Sequence, residues 1–153
     1  MISTTKEYLE EGVSNIYEAT FNFEGILIMV DILKVASDGV SINEVKSSTE
    51  VKDIYLHDVS IQYYVLKNLG FSIKSANVVH INNEYERGES LELDKLFKIV
   101  DVTSEVQNLQ SNIPSILKDF GTIYFEKDFF EHPKGENKGS LKEWHKRLIK
   151  VIK

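Results

Sequence analysis

One carboxylate inside a long apolar run constrains this chain most. The residues from Ile26 to Leu33 are apolar apart from Asp31, and they are rich in β-branched side chains. Such a run predicts a strand that is buried on both faces. A lone carboxylate in an apolar environment is costly unless a positive group compensates it. We therefore expect the fold to bring a cation or a basic side chain to Asp31.

A turn and a second strand follow this run. The pair Asp38-Gly39 favours a hairpin, and Val40 to Lys46 is predicted to be the returning strand. In a nearly symmetric hairpin, Asp31 lies opposite Glu44, and side-chain alternation puts Glu44 and Lys46 on one face. Two carboxylates and an ammonium on one patch suit a divalent metal ion. A cross-strand salt bridge explains the same Glu-x-Lys spacing without any metal.

The rest of the pattern predicts an α/β (α+β) domain, in which helices flank a mixed central β-sheet. Val13–Phe23 is expected to form a first strand, and it carries a further acid, Glu18. Asp53 is expected to cap a helix from Ile54 to Leu69 that ends at Gly70. The later elements are predicted as a strand at Ser75–Asn82, a helical turn at Leu93–Phe97, an extended piece at Ile99–Val102, and a helix at Thr103–Phe120 that Pro114 kinks or divides.

Two polar residues lie within apolar patterns. Gln62 belongs to the apolar stripe of the predicted helix, with Val59 and Leu66 on either side of it. It is either a structural amide that bonds a neighbouring backbone carbonyl or an amide held over the carboxylate patch. His80 alternates with Val78 on the predicted strand, so we expect a hydrogen-bonded sheet histidine there rather than a metal ligand.

The composition of the chain limits which classes of function and of site are possible. A chain of 153 residues is expected to form one domain, and its net charge of −6 argues against binding nucleic acid through bulk electrostatics. The absence of cysteine excludes disulfides, zinc–thiolate sites and cysteine-ligated iron–sulfur clusters. No apolar segment approaches the length that spans a bilayer, and the N-terminus shows no signal-peptide pattern. The expected compartment is the cytoplasm, with no membrane partner.

The last twenty residues differ from the rest in charge. Positions 134–153 carry seven Lys or Arg residues and two Glu residues. Residues 131–153 are expected to form a linker and a basic amphipathic helix packed on or beside the core, which would occupy residues 1–130. That helix is predicted more often to pack against the core than to touch phosphates.

Several short motifs, taken in chain order, resemble a known family. Tyr17-Glu18, Asp31, Glu44-Val45-Lys46 and Gln62-Tyr63 are similar to the core of the PD-(D/E)XK nuclease superfamily. The nearest likeness is its RecB-like branch, which includes the CRISPR-associated exonucleases. The stretch Ile16–Tyr85 also resembles a nuclease-like domain of uncharacterised bacterial proteins. The resemblance implies a restriction-endonuclease-like core with a mixed sheet.

The resemblance also implies a metal site. Asp31 and Glu44 would bind Mg²⁺ or Mn²⁺ together with the backbone carbonyl of Val45. Glu18 would be an auxiliary acid that supports the metal directly or through water. No iron–sulfur cluster is expected, because the cluster-bearing members carry four cysteines and this chain has none.

Catalytic roles follow from the same resemblance. Lys46 would position or activate the attacking water and offset negative charge in the transition state. Gln62 would orient the backbone at the metal site or contact the nucleic-acid strand. The implied enzyme is a metal-dependent deoxyribonuclease that acts on single-stranded DNA or DNA ends by metal-activated water. The sequence does not separate DNA from RNA as the substrate.

Other features favour a different class of function. The RecB-like branch usually carries a Tyr four residues after the Gln, and here that position is Leu66. The helical segment before the first strand is also nearly absent. The alternative is a catalytically inactive module of the nuclease fold that binds nucleic acid or a partner protein. The joint presence of Asp31, Glu44 and Lys46 favours the enzyme, because a binding module has no need of all three.

Overall fold

The computed structural model describes residues 1–118. The chain divides into two compact units, Met1–Gln110 and Ser111–Lys153, and every described strand lies in the first. The predicted boundary at residue 130 and the predicted C-terminal helix lie outside the described residues. The elements are α1 (Ile2–Glu10), β1 (Asn15–Phe23), β2 (Ile26–Ala36), β3 (Gly39–Lys46), α2 (Asp53–Asn68), β4 (Ile73–Ile81), α3 (Leu93–Leu96), β5 (Phe97–Asp101) and α4 (Thr103–Leu109).

The five strands form one mixed sheet in the order β1-β2-β3-β4-β5. The pairs β1–β2, β2–β3 and β4–β5 are antiparallel, whereas β3 and β4 are parallel. The parallel pair requires a crossover connection, which α2 provides. A mixed sheet flanked by helices is the predicted α+β architecture, and this prediction is confirmed.

The β2–β3 hairpin has the predicted turn. Ala36 pairs with Gly39, so Ser37 and Asp38 form a two-residue loop. The last regular pair toward the open end joins Ile32 to Asn43. Continuing that register by one residue puts Asp31 opposite Glu44, as the sequence predicts.

The expectation that β2 is buried on both faces is wrong. Leu27 and Met29 are 60% and 46% exposed, whereas Ile28 and Val30 are buried. The physical reason is the strand pairing: β2 is antiparallel to both neighbours, and antiparallel sheets are often covered on one face only. A continuous apolar run is more typical of a parallel strand with helices on both sides, so the run alone gave the wrong prediction.

The helix α2 covers the inward face of the sheet. Its buried apolar residues include Val59, Tyr63 and Leu66, which join the core with Ile42 of β3 and Val78 of β4. Burying such an amphipathic face contributes most of the stability of a helix in a protein. The crossover helix therefore lies directly over the strand that carries Glu44 and Lys46.

The two ends of α2 differ in how well the sequence predicts them. Gly70, at φ +91°, follows the helix as expected, and the Phe71 N–H donates to the Leu66 carbonyl at 3.1 Å. This is the Schellman arrangement that favours glycine. The prediction of Asp53 as N-cap is wrong, because Lys52 holds that position without a side-chain capping bond. Asp53 is the first helical residue, where its charge still favours the positive end of the helix dipole.

Of the remaining helices, α1 precedes the five strands in the sequence and α4 follows them. The Thr5 hydroxyl on α1 accepts a hydrogen bond from the Thr20 backbone N–H of β1 at 2.9 Å. α4 ends at Leu109, and a second helical segment occupies residues 113–118 with Pro114 in its first turn. The predicted division at Pro114 is confirmed. No helix within residues 1–118 is long and apolar enough to cross a bilayer.

Gly39 is predicted to be essential to the hairpin. It adopts φ +143°, and a Cβ there would overlap the Ser72 carbonyl oxygen. That oxygen accepts the Val40 N–H at 2.8 Å where β3 meets β4, so it cannot move freely. Gly39→Ala should lower the free energy of unfolding by about 2–4 kcal/mol in urea titrations.

Gly25→Ala is the matched control for this prediction. Gly25 also has a positive φ, +84°, but an added Cβ meets nothing within 4 Å. It should cost about 1 kcal/mol through backbone conformation alone. Equal losses in the two variants would contradict the steric explanation for Gly39.

Candidate functional site

The buried carboxylate of Glu44 lies at the centre of the candidate site. Glu44 is 7% exposed and points from β3 toward α2. Its Oε1 accepts the Lys46 Nζ at 2.8 Å, and its Oε2 accepts the Gln62 Nε2 at 2.7 Å. Bonds of this kind to an ionised group are among the stronger ones in proteins. They offset the cost of burying the Glu44 carboxylate.

The Asp31 side chain on β2 bonds the backbone of β3 next to Glu44. Its Oδ2 accepts the backbone N–H of Val45 at 2.7 Å. The bond ties Asp31 to the residue that directly follows Glu44 on β3. The structure thus holds Asp31 on the β3 backbone next to Glu44, through the N–H of Val45 and not through the carbonyl that is the predicted metal ligand.

Lys46 is held by two carboxylates and an aromatic ring. Besides Glu44, its Nζ donates to the Oδ2 of Asp58 at 2.9 Å and lies 5.2 Å from the centre of the Tyr55 ring. Burial alone would lower the pKa of Lys46, but the hydrogen bonds and charges of Glu44 and Asp58 outweigh that effect and raise the pKa above its ordinary value. Lys46 is therefore an ammonium at neutral pH.

Sequence reasoning missed Asp58. A signal for it exists, because Asp58 precedes Gln62 by four residues on α2, and residues with this spacing lie on one face of a helix. Asp58 did not stand out because a single acid near the start of a helix is usually solvated. Only the packing of α2 on β3 shows that it meets Lys46.

Gln62 takes the second of its two predicted positions, with its amide on the carboxylate patch. Its amide nitrogen bonds the Glu44 carboxylate, so it does not bond a neighbouring backbone carbonyl. Its Oε1 is buried and has no hydrogen-bond partner within residues 1–118. An unpaired buried acceptor costs about 1–3 kcal/mol unless water or a ligand satisfies it. The side chain thus offers one free acceptor beside the carboxylates.

Glu18 lies on β1 opposite Asp31 of β2, because its neighbours Tyr17 and Ala19 pair with Ile32 and Val30. Regular pairing is interrupted at Glu18 itself, where φ is +54°. Its side chain is exposed, and no hydrogen bond or ion pair within residues 1–118 involves its carboxylate. A left-handed residue inside a strand changes the direction of its side chain, which simple alternation does not foresee.

His80 pairs in register with Lys46 on the neighbouring strand, yet it takes a structural position. It is 5% exposed, and its Nδ1 lies 2.9 Å from the carbonyl oxygen of Ile81. Nδ1 therefore carries the proton and donates to that carbonyl. This is the hydrogen-bonded sheet histidine that the sequence predicts.

The donor chemistry of the cluster fits a divalent ion. Asp31, Glu44 and Asp58 oppose the single ammonium of Lys46, so the cluster carries two uncompensated negative charges. Within residues 1–118, no group of three or more His, Asp or Glu side chains is arranged to hold a metal ion. Of the predicted ligands, Glu18 acts directly or through water; with Glu18 acting through water, the carboxylates reduce to the pair Asp31 and Glu44, and Mg²⁺ is commonly bound by one or two carboxylates, with waters filling its other positions.

Comparisons with known proteins found no match among family models, curated proteins or solved structures. The resemblance to PD-(D/E)XK nucleases therefore rests on the motifs in this sequence alone.

Removal of the Lys46 ammonium is predicted to destabilise the fold, because the buried Glu44 carboxylate then loses its opposite charge. The two side chains are 21% and 10% exposed. Lys46→Met removes the ammonium and leaves the buried carboxylate with one donor fewer. It should lower the free energy of unfolding by about 1–3 kcal/mol in urea titrations at neutral pH. Because the pKa of Lys46 is raised, this contribution should persist below its ordinary pKa of 10.5 and be lost as pH rises through the folded-state value.

Lys74→Met is the matched control. Lys74 bonds Asp38 at 2.7 Å, but these side chains are 44% and 63% exposed. Solvent screening should limit its loss to about 0–1 kcal/mol. If both lysine variants were destabilised to the same small extent, the buried ion pair would contribute nothing special.

Proposed function

We propose that this protein is a metal-dependent nuclease that hydrolyses phosphodiester bonds in single-stranded DNA or at DNA ends. One observation carries the proposal: Glu44 lies opposite Asp31 in the hairpin and is hydrogen-bonded by both Lys46 and Gln62. A structural salt bridge requires only Glu44 and Lys46. The extra acid and the extra amide at one point are what a hydrolytic site needs.

Asp31, Glu44 and the carbonyl of Val45 would hold Mg²⁺ or Mn²⁺, with Glu18 as an auxiliary acid through water. Carboxylate and carbonyl oxygens are the donors that these hard cations prefer. Two further observations support the fit: the excess negative charge of the cluster and the unpaired Oε1 of Gln62. When bound, the ion polarises a phosphoryl oxygen and provides a nucleophile near neutral pH.

Lys46 would act as a charged donor and not as a base. Its raised pKa keeps it protonated at neutral pH, so it donates hydrogen bonds and supplies positive charge. A positioned ammonium stabilises the negative charge that develops on a transferring phosphoryl group. Lys46 would also orient an attacking water through its one remaining N–H donor.

Gln62 would fix the carboxylate and help to place the nucleophile. Its Nε2 holds one Glu44 oxygen, which leaves the other as the point of exchange between Lys46 and a cation. Its free Oε1 accepts a hydrogen bond from water or from the nucleic-acid strand. Gln62 thereby serves both the position of Glu44 and that of the substrate.

The acidic balance of the chain limits how DNA would be bound. With a net charge of −6, the whole protein does not attract a polyanion, so contacts near the site would come from the cation and from Lys46. Narrow local contacts of this kind favour single strands and ends over long duplexes. The cytoplasm, which the sequence analysis expects, is the compartment that we propose for this activity.

Cleavage of a short labelled DNA under single-turnover conditions tests the proposed function. The wild type should cleave with Mn²⁺ or Mg²⁺ and not with EDTA. Lys46→Ala should reduce the rate at least about a hundredfold, because it removes a positioned charge from the transition state. Lys46→Arg should rescue poorly, since a planar fork replaces a compact ammonium.

Lys74→Ala serves as the control, because this lysine pairs with Asp38 at the hairpin turn. It should leave the cleavage rate unchanged. Equal rates for the wild type and Lys46→Ala would overturn the mechanism. A folded wild type that cleaves neither DNA nor RNA with either metal would favour the non-catalytic binding module.

A further inference from the structure

The ammonium of Lys46 is shared almost equally between two carboxylates. Its Nζ lies 2.8 Å from the Oε1 of Glu44 and 2.9 Å from the Oδ2 of Asp58. The two acids differ in their surroundings, since the Glu44 side chain is 10% exposed and that of Asp58 is 43% exposed. Lys46 therefore bridges a buried acid on β3 and an accessible acid on α2.

This sharing matters because each Glu44 oxygen already accepts one hydrogen bond. Lys46 bonds one of its oxygens and Gln62 bonds the other. A divalent cation on Glu44 would meet the ammonium at close range, where like charges repel strongly. For both to occupy the site, Lys46 has to move away from Glu44 without losing its compensating charge.

Asp58 provides the alternative partner. It lies on the first half of α2, whose position is fixed by buried neighbours such as Val59 and Leu66. A carboxylate accepts several hydrogen bonds, so Asp58 is able to take the whole ammonium as Glu44 releases it. The centre of the Tyr55 ring lies 5.2 Å from Nζ, so a cation–π interaction also stabilises the ammonium.

We propose that Asp58 is a positioning residue that retains the Lys46 ammonium when Glu44 binds a divalent cation, so that cation and ammonium occupy the site together. This inference rests on the proposed function, because it assumes that Glu44 binds a cation. Asp58 itself touches neither the cation nor the substrate, and its effect passes through Lys46.

Calorimetric titration with Mn²⁺ tests this proposal without measuring cleavage. Asp58→Asn should weaken Mn²⁺ binding about tenfold, because Lys46 then remains on Glu44. Asp58→Glu should restore binding to within about threefold, since it keeps a carboxylate within reach. Asp53→Asn removes the same charge from an exposed site on the same helix and should change binding less than about twofold.

A double-mutant cycle separates this role from simple electrostatic attraction. Lys46→Met removes the competing ammonium, so it should bind Mn²⁺ at least as tightly as the wild type. In that background, adding Asp58→Asn should have almost no effect. An effect as large as in the wild type would mean that Asp58 attracts or ligates the ion directly, which would overturn the proposal.

The remaining outcomes are also decisive. If the wild type binds Mn²⁺ and Asp58→Asn binds it equally well, the role of Asp58 is refuted while the proposed function stands. If the folded wild type binds no Mn²⁺, both are refuted. Matching amide NMR spectra for all variants establish that each comparison is between folded proteins.

Discussion

The burial of one negative charge determines how this structure is organised. Glu44 is 7% exposed within an apolar core, and a carboxylate in that position requires compensation. Lys46, two residues after Glu44 on the same face of β3, provides an ammonium, and Gln62 of α2 provides an amide. Helix and strand must therefore pack in one register, because a shift along α2 would move Gln62 and Asp58 away from β3.

The same interactions connect stability with the proposed chemistry. Replacing a buried ion pair by apolar residues is often neutral or stabilising, so stability alone gives little reason to keep one here. A second acid, Asp31, held on the neighbouring Val45 N–H gives the cluster more negative charge than Lys46 neutralises. A structural role does not need that excess. Binding a divalent cation does.

Much of the fold was predictable because local rules and packing agree. The Ser37-Asp38 turn, followed by Gly39, fixed the hairpin register, and continuing this register one residue past the Ile32–Asn43 pair places Asp31 opposite Glu44. The two-sided burial of β2 was predicted wrongly because an apolar run does not reveal whether anything covers its second face. The interruption of strand pairing at Glu18 comes with a left-handed backbone position, and the contact of Asp58 with Lys46 depends on helix packing. Neither leaves a distinctive pattern in the sequence.

The most direct test of the account is where a divalent ion binds. Mn²⁺ titrated into ¹⁵N-labelled protein broadens the NMR signals of nearby amides. The account predicts that broadening begins at the Val45 backbone amide and the Gln62 side-chain amide, and that Glu44→Ala abolishes it. A competing acidic surface exists where Glu84, Glu86, Glu92 and Asp94 line a shallow cavity. Broadening centred on that surface, with Val45 and Gln62 unaffected, would contradict a metal site at Glu44.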